Sequence, residues 1–337
     1  MEAIPERILV VLLGAIGDVV RAMPLVWRVR RAFPRAHLAW AVEPIAAPLL
    51  EGHPAIDERI VFDRPRGARA FPPFLGEIRR RRFDLVLDLQ RHLKSGLVSR
   101  ASGAPRRIGF ARANTKEGNW LFNSETIAPQ EHFSSKLRQY LAFADHLGLP
   151  PAPIEFGLRG GDAERARATA WLESLGRAIV AAFVGSTWPS RFWTPEATAE
   201  VLTTLAERDG FAAVLLGGRG ETSFAREVAA RAPAGTVDLV GKTSLRDLVA
   251  IFERSRLAFG PDSGPMHIAA AVGVPVVSLW GATSAERSAP WGSEDLAVSG
   301  VVACHPCYLR RCPVDRLCMR SIRAEEIVVR LEGALAR

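Results

Sequence analysis

The chain has 337 residues, 48% of them hydrophobic and 24% charged, and a formal net charge of +8. This length allows two domains with a core each, and the composition is that of a soluble globular protein. No apolar run reaches the ~20 residues that a membrane-spanning helix requires, and no small-residue cleavage site follows the apolar N-terminal run. We therefore predict a cytoplasmic protein and exclude an integral membrane protein.

Apolar runs of strand length alternate with amphipathic helical stretches, which predicts parallel sheets of the α/β class. In the first half the predicted strands are Arg7–Leu13, His37–Val42, Arg59–Phe62 and Leu85–Asp88, and the predicted helices are Asp18–Phe33, Leu93–Ala101 and His132–Leu147. Residues 148–153 contain three prolines, cannot continue a helix and suit a stiff linker between domains.

A second alternating series follows this linker. Its predicted strands are Ala178–Val184, Ala212–Leu216, Val237–Val240, Leu257–Phe259 and Val274–Leu279, and its predicted helices are Pro195–Arg208, Glu221–Arg231, Ser244–Arg254 and Ala324–Ala336. We therefore predict two Rossmann-like domains, residues 1–155 and 156–337, that face each other across a cleft where ligands bind at the carboxyl ends of the strands. The C-terminal helix is a candidate to pack back on the N-terminal domain.

The positive charge is concentrated in the first half, because residues 64–138 contain sixteen Lys or Arg and only six Asp or Glu. A basic segment of this kind attracts phosphate-rich partners such as nucleic acid, an anionic membrane surface or a lipid headgroup. The alternative is a solvated surface that uses Arg without a partner. Few aromatic residues interleave with these charges and no nucleic-acid-binding motif is present, so the pattern favours the membrane over nucleic acid.

Gly14 and Gly17 predict a tight turn directly after the first strand, and Asp18 opens the helix that follows. The stretch has neither the glycine spacing of a dinucleotide fingerprint nor the Gly-Lys-Ser/Thr of a Walker loop. In the predicted cleft, the Asp18 carboxylate could take a proton from a substrate hydroxyl. The alternative is that Asp18 only caps the helix, whose dipole would also keep the pKa of this carboxyl low.

The stretch Phe259–His267 indicates the end of a strand, a turn at Asp262, Ser263 and Gly264, and a short helix. The first N–H groups of such a helix suit an anion, most naturally a phosphate, and His267 lies one turn into the helix, within reach of the same anion. The alternative is a capped helix with a satisfied interior histidine.

A second candidate anion site follows the first strand of the second domain. Ser186 and Thr187 supply hydroxyl donors there, and Arg191 supplies a permanent cation that can bind a diphosphate through two nitrogens. A solvated loop with a surface arginine is the alternative. In the glycine-rich turn after the next strand, Glu221 or Arg219 could meet a ribose or base.

All four cysteines, Cys304, Cys307, Cys312 and Cys318, lie within residues 304–318. Clustered thiols in a cytosolic protein indicate a metal site, such as zinc or iron–sulfur, more than disulfides. The spacing is not that of a standard zinc ribbon, so a structural loop that is reduced or reversibly oxidised remains an alternative.

Taken together, these motifs resemble glycosyltransferase family 9, the ADP-heptose:lipopolysaccharide heptosyltransferases, over nearly the whole chain. The resemblance is carried by the Gly-x-x-Gly-Asp turn ending at Asp18, the Asp88-Leu-Gln-x-x-x-Lys94-Ser stretch, the Asp-Ser-Gly-x-x-His turn ending at His267, and the cysteine cluster. The cluster makes the chain most similar to the second heptosyltransferase and its relatives.

The resemblance implies a glycosyltransferase B fold with an acceptor-binding N-terminal domain and a nucleotide-sugar-binding C-terminal domain. It implies Asp18 as the catalytic base and Gly17, Gln90 and Lys94 as acceptor-binding residues. The nucleotide-sugar-binding residues that it implies are Ser186, Thr187, Arg191, Glu221, Thr243, Asp262, Ser263, Gly264 and His267. The family often has Lys where this chain has Arg191, which keeps the charge and adds a fork.

The implied reaction is an inverting, metal-independent transfer of heptose from ADP-heptose to the lipid A-linked inner core of lipopolysaccharide, with no cofactor required. The basic segment would bind the phosphorylated acceptor and hold the protein peripherally on the inner face of the plasma membrane. One alternative is a glycosyltransferase that uses another nucleotide sugar for cell-surface polysaccharide. Another is a non-catalytic, membrane-associated nucleotide-binding module.

Overall fold

The computed structural model describes residues 4–335, except for the side chain of Pro65. The chain forms two compact units that divide after Gly157. The first unit contains β1 (Arg7–Val11), α1 (Ile16–Ala32), β2 (His37–Val42), β3 (Glu58–Val61), α2 (Phe71–Arg80), β4 (Leu85–Asp88), α3 (Leu93–Ala101), β5 (Arg106–Gly109), β6 (Glu125–Thr126) and α4 (Lys136–His146).

The second unit continues the same alternation of strands and helices. It contains α5 (Asp162–Leu172), β7 (Ile179–Phe183), α6 (Pro195–Asp209), β8 (Ala212–Leu216), α7 (Thr222–Ala229), β9 (Val237–Asp238), α8 (Leu245–Glu253), β10 (Leu257–Pro261), α9 (Gly264–Ala271), β11 (Val276–Trp280), α10 (Ala285–Ser288), β12 (Val298–Ser299), α11 (Leu317–Arg320) and α12 (Ala324–Leu335). Short 3-10 turns include Asn119–Phe122, Pro189–Arg191 and Arg219–Glu221.

Each unit has one six-stranded sheet, in the order β3-β2-β1-β4-β5-β6 in the first and β12-β11-β10-β7-β8-β9 in the second. Neighbouring strands are parallel throughout both sheets. Both orders are that of a Rossmann fold, which confirms the predicted α/β class with two Rossmann-like units. The strand order reverses between β1 and β4 in the first sheet and between β7 and β10 in the second. In open α/β sheets ligands bind at the carboxyl ends of such strand pairs.

The central strands were predictable because they are buried on both faces and so consist of continuous apolar runs. All residues of β4, β7, β10 and β11 are buried. The amphipathic α12 inserts Ile327, Val328 and Leu331 into the core of the second unit, where it packs on α6.

Several boundaries differ from the sequence-based expectation. Helix α1 begins two residues before Asp18, and α4 begins at Lys136 rather than His132. The sequence analysis missed seven elements, which are α2, α5, α10, α11, β5, β6 and β12. Strand β5 escaped prediction because it opens with two half-buried arginines, Arg106 and Arg107, and so contains no apolar run. Residues 149–161, which include the proline-rich segment, have no regular secondary structure.

Among the residues that the structure describes, no helix combines the length and the apolar character needed to cross a membrane.

Candidate active site

The predicted catalytic residue, Asp18, lies in the first turn of α1, directly after the loop that leaves β1. Strand β1 pairs with β4 at the point where the strand order of the first sheet reverses, with Val11 opposite Asp88. The loops after both strands therefore emerge at one edge of the sheet, which is the usual ligand-binding edge of this fold. The predicted functional turn at Gly14–Asp18 therefore lies at this edge.

The Asp18 carboxylate is held by two cations. Its Oδ1 atom accepts hydrogen bonds from Arg21 Nη2 at 2.6 Å and from Lys136 Nζ at 2.9 Å. Burial raises the pKa of Asp18, but Lys136 and Arg21 outweigh it and hold this pKa well below its usual range. Burial and the nearby Asp18 charge in turn raise the pKa of Tyr140, whose hydroxyl hydrogen-bonds to Asp18. Asp18 is therefore ionised at neutral pH, and 19% of its side chain is exposed.

The alternative that Asp18 merely caps its helix is wrong. Ala15 occupies the N-cap position of α1, and no side chain caps this end. Arg21 lies three residues after Asp18 on the same helix, so the sequence spacing could have predicted this ion pair. Lys136 and Tyr140 come from α4, more than a hundred residues away, and no local pattern points to them.

The residues predicted to bind the acceptor lie near this edge but differ in their surroundings. The Lys94 ammonium is 2.7 Å from Glu43 Oε1, and the other Glu43 oxygen is 3.2 Å from the Arg64 guanidinium. Gln90 uses its side-chain oxygen to accept the Leu13 N–H at 3.1 Å. Glu43 and Arg64 were missed because neither stands in a recognisable motif.

Gly17, the third predicted acceptor-binding residue, is buried inside the first turn of α1. Its neighbours Gln90 and Lys94 come from the loop after β4 and the start of α3. Lys94 is the charged residue among these three, and its side chain is 34% exposed and paired with Glu43. We therefore expect Gly17 and Gln90 to shape the turn, and Lys94 to contact an anion.

In the second unit, the loops after β7 and β10 meet around Asp262. The Arg191 guanidinium lies 3.1 Å from Asp262 Oδ2 and stacks on the Trp188 ring at 4.1 Å. The Ser186 hydroxyl donates to the Asp262 carbonyl at 3.0 Å, and the Thr283 hydroxyl donates to Asp262 Oδ2 at 2.6 Å. The predicted clamp residues Ser186 and Arg191 are thus brought together with Asp262, and Thr283 is an additional member that sequence reasoning missed.

The start of α9 has the features of an anion site. Ser263 occupies the N-cap position, but its side chain makes no capping hydrogen bond and its hydroxyl is buried without a partner. Gly264 is the first helical residue, and His267 is only 4% exposed one turn later. The Thr243 hydroxyl, after β9, is also buried without a partner. Buried hydroxyls normally have hydrogen-bond partners, so the Ser263 and Thr243 hydroxyls are suited to bind oxygen atoms of a ligand.

Glu221 and Thr187 lie at the same edge of the second sheet. Glu221 accepts the Gly218 N–H and so closes its own glycine-rich turn. Its side chain lies against Gly185, where an added Cβ atom would come within 2.1 Å of Glu221 Cγ. The Thr187 side chain is exposed, in the loop between Ser186 and the Pro189–Arg191 turn. The loops after β7 and β8 are therefore packed tightly together beside Ser186.

This close approach yields a testable expectation at Gly185. In the Gly185→Ala variant the new methyl group must displace Glu221, and overpacking of this kind costs about 1–3 kcal/mol. We expect a lower free energy of unfolding, measured by urea denaturation, and weaker ADP binding, measured by calorimetry. Gly220→Ala is the matched control, because a Cβ atom there meets nothing within 4 Å. Equal behaviour of the two variants would show that the packing of Glu221 on Gly185 is unimportant.

The four cysteines do not form the predicted metal site. Within residues 4–335, no group of three or more His, Cys, Asp or Glu side chains is arranged to hold a metal ion. Cys312 Sγ accepts the Arg316 N–H at 3.2 Å, and Cys318 is buried beside Gly281. Burial raises the pKa of the Cys318 thiol, and the neighbouring Cys312, Cys304 and Cys307 raise it further. The residues therefore do not fit a zinc or iron–sulfur centre, and the four thiols belong to a loop around α11.

The fold agrees with a comparison against known families. The family described as glycosyltransferase family 9 (heptosyltransferase) has a model that matches residues 74–317, which is more than half of the chain. The chain belongs to glycosyltransferase family 9. It is therefore a glycosyl-transferring enzyme, as the resemblance of its motifs implied.

Curated relatives of this family 9 chain are similar over most of their length. The chain is 26% identical to the lipopolysaccharide core heptosyltransferase OpsX of Haemophilus influenzae, covering 88% of this chain and 84% of the relative. It is also 26% identical to lipopolysaccharide heptosyltransferase 1 of Pseudomonas aeruginosa, covering 98% of each chain.

Solved structures of family 9 share its fold. The family 9 glycosyltransferase of Veillonella parvula has a TM-score of 0.84 at 22% identity, with 100% of this chain and 99% of that chain covered. The Escherichia coli ADP-heptose LPS heptosyltransferase II has a TM-score of 0.77 at 20% identity, with 98% of each chain covered. The fold, with two Rossmann-like units, is thus of the glycosyltransferase B type.

Proposed function

We propose that this enzyme transfers heptose from ADP-heptose to the inner core of lipopolysaccharide, with inversion at the anomeric carbon and without a metal ion. The names of its relatives, which are lipopolysaccharide core heptosyltransferases, support the donor and the acceptor. The first unit binds the acceptor and the second binds the nucleotide sugar. The protein acts in the cytoplasm, on the inner face of the plasma membrane.

The observation that carries this proposal is the chemistry at the two switch points. After β1, the first unit has an ionised and partly exposed carboxylate, Asp18. After β7 and β10, the second unit has the Arg191 cation, the Ser186 and Ser263 hydroxyls and the start of α9. A base on one unit and an anion site on the other are what a single displacement on a nucleotide sugar requires.

In the proposed reaction, an acceptor hydroxyl attacks the anomeric carbon of heptose while the bond to ADP breaks. Asp18 takes the proton of that hydroxyl, and a single displacement inverts the anomeric centre. Negative charge develops on the ADP oxygen that leaves. Arg191, the hydroxyls and the N–H groups at the start of α9 stabilise this charge, which is the role that a metal ion has in other glycosyltransferases.

Thr243 and Glu221 are assigned to the nucleoside end of the donor. Glu221 follows β8, which is next to β7, and Thr243 follows β9, which is next to β8; the unsatisfied Thr243 hydroxyl supports a ligand there. Asp262 and His267 are assigned to the sugar and diphosphate. The ion pair of Asp262 with Arg191 orients the guanidinium, so that one carboxylate positions the cation that meets the diphosphate.

The experiment that tests the proposal is turnover with defined substrates. Purified protein is incubated with ADP-heptose and a heptose-deficient core acceptor, and ADP release, product mass and the anomeric configuration of the new bond are measured. We expect one heptose added with inversion, at a rate that excess EDTA leaves unchanged. Loss of activity with EDTA would contradict metal independence, and a retained configuration would contradict the single displacement.

A panel of nucleotide sugars separates the proposal from its alternatives. Faster turnover with another donor would make the enzyme a transferase for a different cell-surface sugar. Binding of ADP-heptose without turnover, for every acceptor tried, would indicate a nucleotide-binding module instead.

Association with the membrane is proposed for the carboxyl edge of the first sheet, which we name the acceptor edge. Loops after β2, β4, β5 and β6 place four exposed apolar side chains there, Ile45, Leu93, Leu121 and Phe133, which are 56%, 42%, 65% and 48% exposed. Exposed basic residues there include Arg112 and Lys116 of the loop after β5, and Arg64 of the loop after β3. Apolar side chains interleaved with cations are suited to an anionic bilayer surface.

Vesicle sedimentation tests this surface. We expect binding to vesicles that contain anionic phospholipid, weaker binding at high salt, and about tenfold weaker binding of the Leu121→Ser/Phe133→Ser double variant, since each side chain loses apolar burial. Ile4→Ser is the matched control, because Ile4 is 76% exposed but precedes β1, at the opposite edge. Wild-type binding by the double variant would contradict the assignment.

A further inference from the structure

Asp88 is a buried carboxyl group at the acceptor edge that the proposed reaction does not use. It is the last residue of β4, pairs in register with Val11 of β1 and has no exposed surface. A buried carboxyl group is costly unless hydrogen bonds compensate for the lost water. The hydrogen bonds that compensate for this loss identify the segments whose positions Asp88 can influence.

The partners of Asp88 come from several loops of the first unit and are neutral. Asn119 Nδ2 donates to Asp88 Oδ2 at 2.7 Å, and the Gln90 N–H donates to Asp88 Oδ1 at 3.2 Å. The Ser95 hydroxyl accepts from the same Asn119 amide at 3.1 Å and donates to the His92 carbonyl at 3.0 Å. The same Asn119 amide lies 3.1 Å from the His92 carbonyl, at the N-cap of α3. One carboxyl group thus joins the loops after β4 and β5 to the start of α3.

Gln90 extends this network to the turn that bears Asp18. Its side-chain oxygen accepts the Leu13 N–H at 3.1 Å, and the Leu13 carbonyl accepts the Glu43 N–H at 2.7 Å. Leu13 directly precedes the Gly14–Asp18 turn. The conformation of Gln90, which Asp88 holds through its backbone N–H, therefore determines where this turn begins.

We propose that Asp88 is a positioning residue that, in its ionised form, holds the Asp18 turn through Gln90 and the Lys94 end of α3 through Asn119, and that its protonation loosens both. This inference rests on the proposed roles of Asp18 and Lys94 in the transfer reaction. Under this proposal, the positions of the Asp18 turn and of the Lys94 end of α3 depend on pH, although neither Asp18 nor Lys94 is the group that titrates.

The chemistry of the network explains why protonation matters. Burial raises the pKa of Asp88 to about 7, and the hydrogen bonds from Asn119 and Gln90 oppose this rise. A protonated carboxyl group brings its own hydrogen into a ring of donors, so one of these bonds must be lost. The Asn119 oxygen is buried without a partner and can accept a hydrogen bond from the new O–H, but only if the amide turns over and withdraws its nitrogen from Asp88 and from the His92 carbonyl.

The charged groups on the elements around Asp88 have other partners or lie elsewhere. Lys94 of α3 pairs with Glu43, and the His92 ring pairs with Glu117. The basic residues of the two neighbouring strands, Arg7 in β1 and Arg106 and Arg107 in β5, lie at the amino ends of these strands, whereas Asp88 ends β4. Arg100 lies in the last turn of α3, away from its N-terminus. Asp88 accepts the Gln90 N–H directly, so proton uptake that moves Gln90 and Leu13 is assigned to Asp88.

The test begins with a measurement that does not depend on activity. In carboxyl-detected NMR of the whole protein, we expect a resonance that titrates near pH 7, disappears in the Asp88→Asn variant, and is accompanied by shifts of the Leu13 and Gln90 amides with the same midpoint. A midpoint near 4, or a titration that leaves the Leu13 amide unmoved, would overturn the inference. A protein that shows these shifts but lacks heptosyl transfer would refute the proposed function and leave this inference intact.

The second measurement is the pH profile of kcat/KM for the acceptor. We expect wild-type kcat/KM to fall about tenfold in total as the pH drops below about 7, a limb that Asp18 cannot produce because its pKa lies far lower. In Asp88→Asn we expect a flat profile at roughly a tenth of the wild-type plateau, with KM for ADP-heptose within about twofold of wild type. Persistence of the acidic limb in this variant would overturn the inference.

Asp84→Asn is the matched control. Asp84 precedes the same strand at its opposite end, where it accepts the Glu6 and Arg7 N–H groups at 2.8 Å each. A purely structural carboxylate of this kind should change stability and leave the acidic limb in place.

Asn119→Ala supplies a second, directional test. It removes a donor that lowers the pKa of Asp88, so the limb should move to higher pH. A limb that moved to lower pH would overturn the assignment. If Asp88→Asn does not fold, Asn119→Ala still tests the proposal.

Discussion

Replacing Asp18 with Asn should lower kcat by about 10²- to 10⁴-fold, the usual contribution of a general base. Asn has nearly the same shape and can still accept a hydrogen bond from Arg21 or Lys136, but it cannot take the acceptor proton. Because Asp18 belongs to the first unit, the affinity for ADP measured by calorimetry should stay within about twofold of wild type. Turnover is followed by ADP release with the core acceptor.

Asp57→Asn is the control for the loss of an ion-paired carboxylate from the same unit. Asp57 binds Arg30 and the Leu38 N–H at the amino edge of the sheet, away from the proposed site. We expect its kcat to remain near wild type while its stability falls. If the Asp18→Asn variant turned over as fast as Asp57→Asn, Asp18 would not be the base, and its two cations would have only a structural role.

Replacing Arg191 with Ala should lower kcat by about 10²- to 10³-fold, comparable to the loss of one preorganised donor to a developing anion. The variant also leaves Asp262 without the cation that lies 3.1 Å from its carboxylate, so that a negative group remains beside the diphosphate. Affinity for ADP should therefore fall as well. Both quantities are measured, by turnover with saturating donor and by calorimetry with ADP.

Arg191→Lys separates the charge from the shape of this side chain. Lys keeps the cation but loses the planar fork and the stacking on Trp188, so we expect a rate between those of Ala and wild type. Arg310→Ala is the control, because the Arg310 guanidinium lies over the same ring at 5.6 Å without belonging to the proposed clamp. Equal rates for Arg191→Ala and Arg310→Ala would remove Arg191 from the donor site.

The ion pairs around both sites hold charged side chains in position before a substrate binds. Arg191 and Asp262 are 14% and 11% exposed, and Asp18 is held by two cations. Such pairs preserve the positions of charged groups that would otherwise be mobile, which reduces the reorganisation that the transition state requires. They also mean that each substrate must compete with an internal partner. The rates of variants therefore report the balance between these partners and the ligand.

The sequence by itself determined the class of fold and the turns that carry the candidate chemistry. Continuous apolar runs such as Val276–Trp280 predict buried parallel strands, because residues buried on both faces leave no polar alternation. Glycine, serine and aspartate directly after such runs predict ligand-binding turns, since the carboxyl ends of parallel strands share one edge. Asp18, Ser186, Arg191 and Asp262 were all reached in this way.

Only the tertiary structure decided what these residues touch. The pair of Asp18 with Lys136, the pair of Lys94 with Glu43 and the burial of Asp88 under Asn119 join residues that are tens to more than a hundred positions apart. Strand order and register bring them together, and neither is encoded in a local pattern. Whether a carboxyl group is a cap, a base or a buried positioning residue depends on these distant neighbours, because they determine its solvation and its pKa.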